Sequence, residues 1–274
     1  MVVELHVLAL ACYVLTAGLV AASLVNIRRR RTPDLWVLAV GSSGAALHFA
    51  GLLAYARVAG TLPLVGTGPA LSSLAFLVGL LGLAIQGLTR ESAIALAVGP
   101  LVALLVAAAL ATGFGPIGAT GGRLGIVFVA HVTASLLGLA LLAVASAAGA
   151  LYLLQHRQLK GRRFGVIFQF FPPLEQLDRL NHLTLVVGFP VLTVGILLAL
   201  GLTAGGGALA VVSIEKLAWA ATSWLTYGLL AGARAFGALR GIRAAYVSVA
   251  AFLLVAFGYL GVRVFAASGT GFMP

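Results

Sequence analysis

The sequence predicts an all-α integral membrane protein, a polytopic bundle of about eight transmembrane helices with both termini on the outer side (N-out/C-out). Three observations predict it. Hydrophobic residues make up 62% of the chain and charged residues 8%, which leaves too little polar surface for a water-soluble globule. The apolar residues form continuous helix-length runs rather than alternating ones, and in lipid only helices or closed barrels satisfy every backbone donor and acceptor. The basic residues gather in every second connection.

The spans are expected at 4–26, 35–58, 70–89, 92–112, 123–154, 180–203, 210–233 and 244–266. The first opens MVVELHVLAL with no basic segment ahead of it, so it reads as a retained anchor rather than a cleaved leader. Arg28, Arg29, Arg30 and Arg31 follow it and mark the first cytoplasmic connection. The second and third spans are joined by GTLPLVGTGP, and the fourth and fifth by GFGPIGATGG, whose Gly and Pro residues signal turns. The fifth run continues apolar through Ala150 toward Gln155, longer than the hydrocarbon layer requires, so it is expected to project into the cytoplasm. Pro190 interrupts the sixth span and predicts a kink there. TAGGGALA leads to the seventh span, and a basic stretch with Arg234, Arg240 and Arg243 separates it from the eighth.

Thirteen of the seventeen Lys and Arg residues fall in the connections assigned to the cytoplasm, and the other side holds Arg57, Arg123, Lys216 and Arg263. The net charge of +11 is therefore a topology signal and does not point to nucleic acid. Eight spans of roughly 20 residues use about 160 positions. That leaves a single transmembrane domain over 1–274 with no separate soluble domain. The lone Cys12 reads as a small packing residue, as do pairs such as Ala134 with Gly138 and Gly195 with Ala199.

Ionisable residues within spans are costly and therefore candidates for function. His131 lies about two turns into the fifth span and His48 in the outer half of the second, with His6 near the start of the first. Two imidazoles from different helices can clamp a haem iron, and His131 with His48 are the candidate pair. An apolar-helix histidine can equally be a hydrogen-bonded core residue. His156 and His182 read as cytoplasmic surface residues. In the seventh span, SIEKLAWAATSWLTY brings Lys216, Trp219, Trp224 and Tyr227 close together. This is either an interfacial aromatic belt with a snorkelling lysine or a platform whose aromatic faces and cations receive a porphyrin. Arg57 and Arg123, on the same side, could pair with propionates or cap helices. The segment 155–179, QHRQLKGRRFGVIFQFFPPLEQLDR, mixes basic residues with Phe164, Phe168, Phe170 and Phe171. It reads as an interfacial strip or as a docking surface for a cytoplasmic partner. Walker, GxSxG, HExxH and CxxC motifs are absent, so an enzyme is not favoured. Glu4, Asp34, Glu91 and Glu215 are the acidic residues near spans, all at their ends, which leaves little for an ion relay.

HVTASLLGLALLAVASAAGALYLLQHRQLK (131–160), FPPLEQLDRLNHLTLVVGFPVLTVGILLALG (171–201), SIEKLAWAATSWLTYGLLAGAR (213–234) and LRGIRAAYVSVAAFLLVAFGYLGVR (239–263) resemble the cytochrome c assembly family, the CcsA/CcmC superfamily. LHFAGLLAYARV (47–58) resembles the corresponding helix of its HemX/YpjD-like branch, so the assembly-like region is expected over about 35–266. The resemblance implies a haem-handling protein of the bacterial inner (plasma) membrane that assists cytochrome c assembly. It also implies haem b as the ligand, and membrane lipid and cytochrome c maturation proteins as partners. His131 falls where the family's first outer histidine falls. The family's Trp-Asp-Pro-Lys-Glu stretch is here Ser213-Ile214-Glu215-Lys216-Leu217, and Gly232 and Thr270 stand near two expected histidines. These departures place the chain nearer the HemX-like branch. The alternative they imply is a non-catalytic regulator or scaffold acting through 155–179 on a cytoplasmic tetrapyrrole-synthesis enzyme or a membrane partner.

Overall fold

In the computed structural model the apolar runs become helices. It describes residues 1–25, 34–89, 92–114, 125–161, 171–204 and 214–267, with side chains described to residue 258 in the last helix. The described residues form α1 (Val2–Val25), α2 (Asp34–Ala59), α3 (Thr67–Thr89), α4 (Ala95–Thr112), α5 (Ile126–Lys160), α6 (Leu174–Ala204), α7 (Ile214–Ala235) and α8 (Gly241–Ala267). One 3-10 turn, Ser92–Ile94, leads into α4, and no strand occurs among the described residues. Seven of these helices are long and apolar enough to cross a membrane, which makes the chain a multi-pass membrane protein. The exception is α7, whose Ser, Thr, Trp and charged residues dilute its apolar content.

The expected connection at 155–179 is shorter than the sequence suggests. Residues 155–160 complete α5, and 174–179 open α6. The cause lies in Pro172-Pro173: the Pro173 carbonyl accepts from Gln176 N at 2.9 Å and Leu177 N at 3.2 Å, which starts the helix there. Leu177 is then buried one turn before Asn181. Helix α5 has 35 residues. At 1.5 Å per residue it is about 52 Å long, against about 30 Å of hydrocarbon.

Two groups of helices meet along α3 and α5. The first comprises α1–α4 and the second α5–α8, with α5 and α6 in contact along most of their length. Lipid offers little hydrophobic drive for helices to associate, so close backbone approach supplies the packing energy. A Cβ on Gly138 would lie 2.7 Å from Leu192 N, and one on Gly188 would lie 2.9 Å from Leu141 Cβ. Gly195 sits directly against Ser135, and Gly149 lets α5 approach Ala245 of α8. One core cluster joins both groups, running from Ala9, Tyr13 and Val78 through Val98 to Val144 and Leu177. A second, with Leu142, Leu185, Tyr227 and Val255, fills the space among α5–α8. Leu8, Leu15, Leu197, Leu254 and Phe257 remain outward on the lipid face.

The ends of α6, α7 and α8 opposite His131 are tied by an ion pair. Arg234, with 2% side-chain exposure, contacts Asp178 at 2.9 Å, and Gly241 N donates to the same carboxylate at 3.2 Å. Gly241 has φ +56° and faces the Tyr152 hydroxyl, so a side chain there would be strained and crowded.

Candidate functional site

His131 sits in the second turn of α5, where the Gly195–Ser135 approach brings α6 close. Its Nδ1 lies 2.7 Å from the Gly195 carbonyl, and Ser135 Oγ is 3.5 Å from the same nitrogen. A carbonyl only accepts, so Nδ1 carries the proton and donates, and in the neutral ring Nε2 presents a lone pair. The side chain is half-buried, with the Phe128 ring 6.3 Å away in edge geometry. Such a ring can ligate a metal through Nε2 while the backbone fixes its tautomer and orientation.

His48 has different surroundings. It is fully buried, with Nε2 2.9 Å from Ser72 Oγ and Nδ1 3.3 Å from the Tyr13 hydroxyl. His6, also fully buried, lies 2.8 Å from the same Ser72 oxygen and 2.7 Å from the Val2 carbonyl. The two rings stand 5.2 Å apart, walled by Phe76 and Phe114. The structure thus brings His48 together with His6 on α1–α3, while His131 joins α5 to α6. No described hydrogen bond or ring contact links His48 to His131.

The seventh-span aromatics divide between neighbours. Trp219 is half-buried and donates from Nε1 to the Val255 carbonyl of α8 at 2.9 Å. Trp224 is 37% exposed, donates to Thr193 Oγ1 of α6 at 3.0 Å and packs on Phe189. Five residues apart on one helix, they point about 140° away from each other. Tyr227 is buried in the core with its hydroxyl unpaired among the described residues. Arg57 is exposed at the end of α2. Arg123 and the side chain of Lys216 lie outside the described residues. So do Phe164, Phe168, Phe170 and Arg163, whereas Phe171 is buried in the first core cluster. His156 and His182 are half-buried rather than fully on the surface, and His156 stacks on Tyr152.

Three features went unread in the sequence. Asp178 falls inside α6 and pairs with a buried Arg234, which the charge pattern had assigned to topology alone. Ser72 and Tyr13 complete the His6–His48 pair, and a serine or tyrosine within an apolar run carries no spacing signal.

The model of the family described as cytochrome C assembly protein matches residues 67–268, from the start of α3 to the end of α8. The stretch 47–58 and the whole of α1 and α2 precede that match. No curated protein matches the chain. A multi-pass helical membrane protein matched over most of its length by this one model belongs to the cytochrome c assembly protein family, and its role lies in cytochrome c biogenesis.

Proposed function

We propose that this protein handles haem during cytochrome c assembly, with His131 as the iron ligand. The observation that carries the reading is the 2.7 Å contact between His131 Nδ1 and the Gly195 carbonyl. Metal-ligating histidines almost always donate their second ring N–H to a carbonyl or carboxylate, which fixes the tautomer and makes the ligating nitrogen more basic. A half-buried ring whose Nδ1 is held by a carbonyl keeps its Nε2 lone pair for haem iron. His48 fits it less well, because both of its nitrogens are engaged and one hydrogen bond would have to be given up first.

Bound haem b would supply an iron for the imidazole and propionates for nearby cations. Within the chain, His131 holds the iron and α6 holds His131 in place. Trp224, exposed on the flank of α6, offers an aromatic face. Arg57, Arg123 and Lys216 are among the cations on the same predicted side, and Trp219 supports α7 from α8. On this reading the His131 end faces outward from a bacterial inner membrane, where cytochrome c maturation proteins are the partners. The function is carriage rather than catalysis.

The test is the absorption spectrum of detergent-purified protein supplied with haem. A Soret band that disappears in His131→Ala and persists in His156→Ala is expected. Colourless wild-type protein, or a band indifferent to His131→Ala, would sink the reading.

A further inference from the structure

The contacts of His6, Ser72, His48 and Tyr13 have one consistent proton arrangement with both histidines neutral. The Val2 carbonyl accepts only, so His6 Nδ1 carries the proton across the 2.7 Å contact. His6 Nε2 is then an acceptor, and the single Ser72 hydrogen must point to it at 2.8 Å. The Ser72 oxygen in turn accepts from His48 Nε2–H at 2.9 Å. That leaves His48 Nδ1 to accept from the Tyr13 hydroxyl at 3.3 Å. One backbone carbonyl therefore sets the direction of every bond in the row. The Phe76 and Phe114 rings flank it, and such dry walls strengthen a hydrogen-bonded chain.

The row does not stop at Tyr13. Tyr13 also lines a cavity among α1–α4, whose polar groups come from Tyr13, Thr16 and Gln86 and whose other walls are glycines and apolar side chains such as Leu83 and Val98, with a volume of about 30 Å³. One water needs about 10–15 Å³ by that measure, together with polar partners. Gln86 is 4% exposed, and its Nε2 has no hydrogen-bond partner among the described residues. A buried amide of this kind calls for an acceptor, and the cavity beside it has space for one.

We propose that the cavity holds water and that Tyr13, His48, Ser72 and His6 form a proton-transfer path between it and the membrane surface at the Val2 end of α1. In one passage a hydronium ion in the cavity protonates the Tyr13 oxygen, whose own proton moves to His48 Nδ1. His48 Nε2–H passes to Ser72, and the Ser72 proton passes to His6 Nε2. Water is left in the cavity and an imidazolium at buried His6, whose Nδ1 proton leaves past the Val2 carbonyl when the N-terminal turn of α1, with Met1 exposed, opens to solvent; the groups of the row then turn back to the starting direction. Each bond to hydrogen that breaks is matched by one that forms, and one positive charge moves. His6, Tyr13 and His48 lie ahead of the family match and Ser72 lies within it, so the path is independent of the haem reading.

The test uses full-length protein labelled with ¹⁵N-histidine in lipid bilayers, observed by solid-state NMR. His6 should be protonated at Nδ1 and His48 at Nε2, and both ring protons should exchange with bulk water. Ser72→Ala should slow exchange at His48 at least tenfold and leave the His6 tautomer unchanged. Gln86→Leu, which touches no histidine, should dry the cavity and slow exchange at His48 while His6 still exchanges. The same tautomer at both rings would overturn the proposal. So would a His48 ring proton that never exchanges in wild type, or one that exchanges at the wild-type rate in Gln86→Leu.

Discussion

Arg234 grips Asp178 twice: Nη1 meets the Asp178 carboxylate at 2.9 Å, and Nη2 meets its backbone carbonyl at 2.8 Å. This clamp joins the last turn of α7 to the first turns of α6, and Gly241 N adds the start of α8. Removing one partner leaves an uncompensated charge at a buried position. Asp178→Ala is expected to destabilise the protein by about 3–5 kcal/mol, and Asp178→Leu with Arg234→Met should recover much of that loss. Thermal unfolding in detergent, followed by circular dichroism, checks both.

Gly138 faces the backbone of Leu192, which has no flexible end to move aside. Gly138→Ala should cost about 1–3 kcal/mol by forcing α5 from α6. The same change at Gly232, with nothing within 4 Å of its Cβ position, should be near neutral or slightly stabilising. Melting temperatures of the two variants side by side decide it.

Gly195 supports His131 through its carbonyl and abuts Ser135. Gly195→Ala should shift that carbonyl and weaken haem binding by about 10–100-fold, the usual penalty for disturbing a residue that orients a metal ligand. Haem titration followed in the Soret region reads it, and unchanged affinity would separate His131 from the iron.

Ser72 serves two buried imidazoles with one hydroxyl. Ser72→Ala should cost about 1–3 kcal/mol for each ring nitrogen left unpaired, and Ser72→Thr should cost less because it keeps the hydroxyl. Chemical unfolding of the purified variants tests the order.

The helices were legible because lipid imposes a simple demand: an apolar run of sufficient length with every backbone group paired internally. The observed ends fall within a few residues of the expected ones for α1–α4, α7 and α8, whereas α5 runs six residues past its expected end. α6 differs because a proline pair followed by charged residues resembles a loop, although Pro173 suits a helix start. At the site, His131, His48 and His6 stood out as costly residues in or near spans, but the contacts each would make did not. His48 meets His6 across α1 and α2, and His131 meets a backbone carbonyl, which has no letter of its own in the sequence. The two tryptophans looked like one platform because they are near in sequence; helical rotation turns them to different neighbours.

The modest apolar content of α7 bears on how the chain is made. A segment of this kind, with Arg234 near its end, partitions weakly into bilayer when it leaves the insertion machinery alone. Asp178 is already in place on the preceding helix, and α8 follows after a connection of only a few residues. Biosynthesis should therefore commit α7 to the bilayer late, as a hairpin with α8 that α6 receives, rather than one helix at a time.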